Sequence, residues 1–184
     1  MADNGNGNGN GNGNGVTTVK LRASDGEIFE VEEAVAMELE TVKNFFGDDG
    51  VTHDTVIPLL NVTSLPLAKV IQYCRRAVEF RAKLAGAGDD EEAQKKAEKE
   101  WKEFESEFVS EESNESVKEL ILAANYLNIK NMLSFLNEEV ADRIKNKSVE
   151  YVRKFFGIRN DFPPEEEERL RQENAWAFMG VDAD

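Results

Sequence analysis

After one short stretch of alternating residues, the apolar side chains of this sequence recur at three- and four-residue spacing almost to its end. That change of period limits the fold more than any other feature. Alternation lines one face of a strand, whereas the wider spacing lines one face of a helix. Val19, Leu21 and Ala23 alternate with Thr18, Lys20 and Arg22, which predicts a half-buried strand. Ser24-Asp25-Gly26-Glu27 is a turn signal in which Gly26 can take a positive φ. Ile28 to Val31 then returns as the second strand of a hairpin. The apolar run Val56 to Leu60 reads as another short strand, and Pro58, lacking an N–H, favours a sheet edge.

The remaining segments read as helices. Val35, Leu39, Val42 and Phe46 predict one amphipathic helix from Glu32 to a stop near Gly47. Ser64 is placed to cap a second, with Pro66 in its first turn and an inner face of Leu67, Val70, Ile71, Cys74 and Val78. Ser116-Val117-Lys118-Glu119 fits a capping box before a strongly apolar helix of Val117, Leu120, Ile121, Ala124 and Leu127, expected to be central. After a break near Asn128, Ile129, Leu133, Leu136, Val140 and Ile144 continue the period. Ser148 caps a further helix with Val149, Val152 and Phe155-Phe156, stopped by Gly157. Asp161-Phe162-Pro163-Pro164 opens the last, with Glu165 to Glu168 at the positive end of its dipole. Residues 86–113 read as a solvated acidic insertion, in which Trp101, Phe104 and Phe108 could dock a short helix on the body. Asn4 to Gly15 alternate Asn and Gly and are expected to be a disordered tail outside the fold.

The chemistry available is sparse. The formal net charge is -15, from 37 acidic and 22 basic residues. Phosphate backbones and anionic membranes repel such a chain, so the expectation is no nucleic acid and no membrane partner. One cysteine and one histidine cannot furnish a structural zinc site, and one thiol forms no internal disulfide. Cys74 lies on the apolar stripe and reads as a small buried hydrophobe; His53 beside Asp54 reads as a loop histidine. There is no glycine-rich phosphate loop and no Gly-x-Ser-x-Gly elbow, and paired carboxylates sit in solvated runs such as Asp89 to Glu92. These observations predict no catalytic residues and no cofactor, in a protein of the nucleus and cytoplasm. The apolar faces from Ile129 to Phe178 exceed what one hairpin and one central helix can enclose. Either the helices bury one another or a partner covers part of that surface.

Three separated stretches bear on that choice. Glu119 to Lys130 read Glu-Leu-Ile-Leu-Ala-Ala-Asn-Tyr-Leu-Asn-Ile-Lys; Val152 to Phe162 read Val-Arg-Lys-Phe-Phe-Gly-Ile-Arg-Asn-Asp-Phe; Glu173 to Phe178 read Glu-Asn-Ala-Trp-Ala-Phe. In this order they closely resemble the Skp family of S-phase-kinase-associated adaptors, and Ser24 to Val31 is similar to that family's opening hairpin. The resemblance spans Val19 to Phe178. It implies an α/β (α+β) fold: a POZ/BTB-type domain of small sheet and helical bundle over residues 16–146, then a helical extension over 147–184. It also implies a non-catalytic adaptor that joins a cullin to F-box proteins in an SCF ubiquitin ligase, with a RING protein brought in indirectly through the cullin. Asn125 and Tyr126 match the family's cullin-facing positions. Leu133, Val140, Ile144, Val152, Phe155, Ile158, Trp176 and Phe178 match its F-box-facing helices, some of them expected in the internal core.

Departures from the family pattern occur at Lys118, where a bulky apolar residue is expected, and at Ser134 to Glu139. With the Asn/Gly tail and the long 86–113 segment they suggest a divergent paralogue of the kind plants carry. An elongin-C-like adaptor, which lacks the C-terminal helices, is the nearest competing reading. A homodimeric POZ scaffold and a carboxylate-dependent hydrolase are the others.

Overall fold

The structure, a computed structural model, describes residues 17–46 and 55–181. The Asn/Gly tract, Gly47 and His53 lie outside the described residues. Strands β1 (Thr18–Arg22) and β2 (Ile28–Glu32) form the expected hairpin, antiparallel with Val19 opposite Val31 and Leu21 opposite Phe29. Gly26 turns it at φ +96°. Strand β3 (Val56–Pro58) pairs parallel to β1, giving the order β2-β1-β3 and leaving Pro58 on an edge strand. Val19, Leu21, Val31 and Ile57 point from the sheet into the core.

The single helix expected from Glu32 to Phe46 is instead two, α1 (Glu33–Ala36) and α2 (Glu40–Phe45). Leu39 is extended at the start of α2, yet Val35, Leu39 and Val42 are all buried. A tight turn between two short helices keeps the same three side chains inward, so apolar spacing cannot reveal the break.

Helix α3 (Ser64–Ala87) has Thr63 rather than Ser64 at its cap position, without a side-chain cap bond. The cap comes from the hairpin: Asp25 Oδ2 accepts hydrogen bonds from the Ser64 N–H (2.9 Å) and Oγ–H (2.7 Å). Those bonds, Ser64 Oγ–H first, hold the Asp25 carboxyl below its usual range.

Residues 86–113, expected to be a solvated insertion with a short helix docked by its aromatics, carry a longer helix that is docked in that way. Helix α3 runs to Ala87, and α4 (Glu91–Ser110) follows after a turn at Gly88, φ +53°. Asp90 caps α4 by accepting from the Glu92 and Ala93 N–H groups at 3.0 and 3.2 Å. The α4 side chains Trp101, Phe104 and Phe108 close on Tyr73 of α3, with ring centroids 5.3, 6.1 and 5.7 Å away. Phe135 stacks on the same ring at 6.2 Å, and Tyr73 is fully buried. Each such pair contributes about 0.5–1.5 kcal/mol beyond area burial, enough to dock a helix whose other residues are mostly charged.

Helix α5 (Asn114–Tyr126) begins three residues before the expected box: Ser113 Oγ accepts from the Ser116 N–H at 3.1 Å, and Ser116 Oγ–H donates to Glu112. Val117, Leu120, Ala123 and Ala124 are buried, so this is the central helix. Asn128 at φ +55° breaks it from α6 (Lys130–Ile144). Arg143 of α6 ties in the end of α4. Its guanidinium donates to Val109 O (2.9 Å), Glu112 O (2.8 Å) and Asn114 Oδ1 (3.0 Å) while pairing with Glu139 at 2.6 Å. Helix α7 (Val149–Phe156) has the expected ends: Ser148 accepts from the Tyr151 N–H at 3.0 Å, and Gly157 takes φ +67°. Phe155 joins Val117 of α5 and Val140 of α6 in a second apolar cluster, which seats α7 on the body. Helix α8 (Pro164–Glu173) and a 3-10 turn, Ala175–Phe178, close the described chain.

Candidate partner-binding surfaces

Helix α5 is buried on most sides, but Glu115, Glu119, Leu122 and Asn125 are exposed, with Tyr126 half-buried beside them. At spacings of three and four they share one face. Leu122 is 67% exposed at its centre, an apolar side chain in water on a helix otherwise committed to the core. Tyr126 packs partly against the main core, and its carbonyl accepts from Thr41 Oγ1 at 2.7 Å, which fixes α2 to the end of α5. The ring is thus held on a rigid base.

A second surface lies at the C-terminal end. Phe156, Ile158, Phe162, Trp176 and Met179 are exposed, Trp176 at 71%. Phe155 and Phe156 are neighbours whose side chains point about 100° apart on a helix, so one enters the core and the other faces solvent.

Lys118 does not simply replace an apolar group on the α5 face. Its Nζ donates to Phe155 O at 2.6 Å and stands 5.8 Å over the Phe155 ring. The carbonyls at the end of α7 are satisfied from outside its last turn: Gly157 N–H is shared between Arg153 O and Lys154 O (3.3 Å to the latter), Ile158 N–H also takes Arg153 O (2.8 Å), and Lys118 takes Phe155 O. A cation at the negative end of the α7 dipole adds to that bond.

The titratable groups in the interior suit packing. Cys74 is fully buried, and burial pushes its thiol up to about 12, so it is protonated and unreactive at neutral pH. Glu105 lines a cleft of about 490 Å³ with Tyr73, Phe80 and Trp101. Burial raises its carboxyl, opposed by hydrogen bonds from Trp101 and from the Tyr73 hydroxyl at 3.1 Å. Among the described residues, no group of three or more His, Cys, Asp and Glu is placed to hold a metal ion, and no helix is long and apolar enough to cross a membrane.

The family model described as "Skp1 family, tetramerisation domain" matches residues 17–79, the sheet and the first part of α3. That described as "Skp1 family, dimerisation domain" matches residues 130–177, from α6 into the 3-10 turn. The chain belongs to the Skp1 family. Plant relatives agree: it is 48% identical over 167 residues to "SKP1-like protein 20" of Oryza sativa subsp. japonica, covering 87% of this chain and 94% of the relative. To "SKP1-like protein 1A" of Arabidopsis thaliana it is 49% identical over 160 residues, covering 87% and 96%. To "SKP1-like protein 14" of Arabidopsis thaliana the identity is 46% over 160 residues, with the same coverage.

Within this Skp1-family chain the residues singled out from the sequence fall into three groups. Asn125, Ile158 and Trp176 are exposed. Tyr126, Leu133, Ile144, Val152 and Phe178 are half-buried. Val140 and Phe155 are buried against each other in the chain's own second cluster, and so are among those of the set expected in the internal core. Leu122, Phe156, Phe162 and Met179 are exposed apolar side chains that the sequence reading passed over. Phe156 and Phe162 stand in the quoted motif stretch, but apolarity alone does not separate inward from outward. Of the unusual 134–139 run, Phe135 and Leu136 point inward and Glu139 binds Arg143, which leaves Ser134, Asn137 and Glu138 exposed.

Proposed function

We propose that this chain is a non-catalytic adaptor of an SCF ubiquitin ligase, in the nucleus and cytoplasm, joining a cullin to F-box proteins. The observation that carries the reading is the outer face of α5. A helix buried by its own fold on most sides still presents Leu122, Asn125 and the edge of Tyr126 together. An exposed leucine flanked by an amide and a braced aromatic ring is the composition of an interface anchor. The F-box protein covers the C-terminal surface, where Phe156, Ile158, Phe162, Trp176 and Phe178 offer apolar area to a helical partner. The RING protein is reached through the cullin, without contact to this chain, and no cofactor is needed, because the adaptor supplies position alone.

The test is a three-way reconstitution on a sizing column with an F-box protein and the N-terminal half of a cullin, which should give one ternary peak. Tyr126→Lys should weaken cullin binding by about 2 kcal/mol or more, roughly thirtyfold, and leave F-box binding within about twofold. Trp176→Ala should do the reverse. Equal loss of both interactions in variants with native circular dichroism would sink the two-surface reading.

A further inference from the structure

Helix α8 differs from every other long helix here in how it is held. None of its ten residues is buried. A ten-residue helix with five glutamates is marginal on its own in water, so its order comes from what fastens it. The fastening converges on one carboxylate. Glu167 Oε1 accepts from Arg153 of α7 at 3.0 Å and from Arg171 at 3.1 Å, and its Oε2 accepts from Asn160 of the linker at 2.5 Å. Arg171 also bonds Glu150 of α7, and its guanidinium carbon lies 5.4 Å from the ring centre of Phe178. Two side chains, Glu167 and Arg171, thus connect α7, the linker, α8 and the 3-10 turn.

We propose that α8 and the 3-10 turn form a latched strap, which unhooks from α7 as one unit when the charged hub at Glu167 is broken, leaving α7 and the core in place.

The line of separation follows from what holds each side. Helix α7 is seated by Phe155 in the second apolar cluster, by its Ser148 and Gly157 ends and by Lys118. The strap is seated by charges that line an open cleft of about 370 Å³, including Glu150, Arg153, Glu167 and Arg171. Apolar burial is not weakened by screening, whereas solvated ion pairs are screened beyond a Debye length of about 10 Å at 0.1 M and about 3 Å at 1 M. The hydrogen bond from Arg153, then those from Asn160 and Arg171, hold the Glu167 carboxyl down to about 2, so salt rather than mild acid opens the latch near neutral pH. Because the strap carries Trp176 and Phe178, unhooking moves two aromatic side chains of the C-terminal surface.

Hydrogen exchange followed by mass spectrometry on the full chain tests this. Arg153→Gln removes a partner on α7 without touching the intrinsic helicity of α8; Glu167→Gln removes the hub; Glu168→Gln, which lines the same cleft but bonds Gln172 within α8 at 2.9 Å, is the control. At low salt the amides of 165–178 should exchange about tenfold faster in Arg153→Gln and Glu167→Gln than in wild type. Wild type in about 1 M sodium chloride should approach the variants' rate, and Glu168→Gln should stay within about twofold of wild type. Amides of 149–156 and 117–140 should be unchanged. Wild-type exchange in Arg153→Gln would overturn the latch, and so would equal opening of α7. A strap that already exchanges at the unfolded-chain rate in wild type at low salt would overturn it too.

Discussion

Lys118→Ala isolates the bond that joins the central helix to the C-terminal extension. The lysine donates a 2.6 Å charge-assisted hydrogen bond to Phe155 O, and bonds to charged groups contribute about 1.5–3 kcal/mol. Its side chain is 31% exposed, and its 3.5 Å pair with Glu115 is a solvated i,i+3 contact that adds little. The ring contact contributes about 0.5 kcal/mol at such a site. Releasing the ordered lysine returns about 1 kcal/mol of side-chain entropy. The net loss is about 1–2.5 kcal/mol, or about 2–10 °C in Tm for a chain of this size. Urea denaturation followed by circular dichroism measures it, and Lys118→Met, which keeps the apolar stem, should lose nearly as much. Exchange across 149–156 should accelerate in both variants, and binding of an F-box domain, titrated by calorimetry, should weaken. A loss under about 0.5 kcal/mol with α7 exchange unchanged would refute the reasoning. Loss of cullin binding alone would show that Lys118 acts at the α5 surface rather than through α7.

Two other substitutions probe the docking of α4. Arg143→Lys should cost about 2 kcal/mol in urea unfolding, because one ammonium cannot reproduce the fork that reaches both Val109 O and Glu112 O. Glu105 has a raised folded-state pKa, so its protonated form is favoured: that stabilisation is present below about 4.5 and is lost as pH rises through the raised value. Glu105→Gln should therefore raise Tm at pH 7 by about 1–2 °C, after allowance for solvent screening, and show no gain near pH 4. A gain that persists in acid would show that charge is not the cause.

How far the sequence could be read depended on whether neighbours along the chain or across the fold decide a feature. The hairpin, the break at Asn128, the Ser148 cap and the Gly157 stop are local matters of turn chemistry and period, and they are legible. The cap of α3 is not, because Asp25 supplies it from 39 residues away. For residues 86–113 the charged composition reads as a solvated insertion; the helical spacing of its three aromatics makes their docking legible, but the sequence does not mark Tyr73 as their partner or show that α4 is a full twenty-residue helix. The same limit applies to the surfaces. Val140 and Phe156 are equally apolar in sequence, and only the placement of α7 buries one and leaves the other at 44% exposure. Leu122 escaped notice because a leucine in an apolar helix looks like core, and the helices packed around α5 decide which side stays open.

For a protein whose work is to hold others in position, the geometry between its two surfaces matters as much as either surface. Lys118, Leu122 and Asn125 follow one another at four and three residues, so they lie along a single face of α5. Because Lys118 ends on the Phe155 carbonyl of α7, the end of that helix abuts the N-terminal end of the exposed α5 face. The α5 surface therefore begins where the C-terminal extension is clamped. Between them stands a helix with Val117, Leu120, Ala123 and Ala124 in the core, which cannot bend without opening apolar packing. Motion is left to what lies beyond the clamp. Up to Gly157 the extension is fastened by buried apolar groups and satisfied carbonyls; after it, by solvated charges. A rigid seat on α5 and an adjustable strap after Gly157 is what this distribution of forces supports.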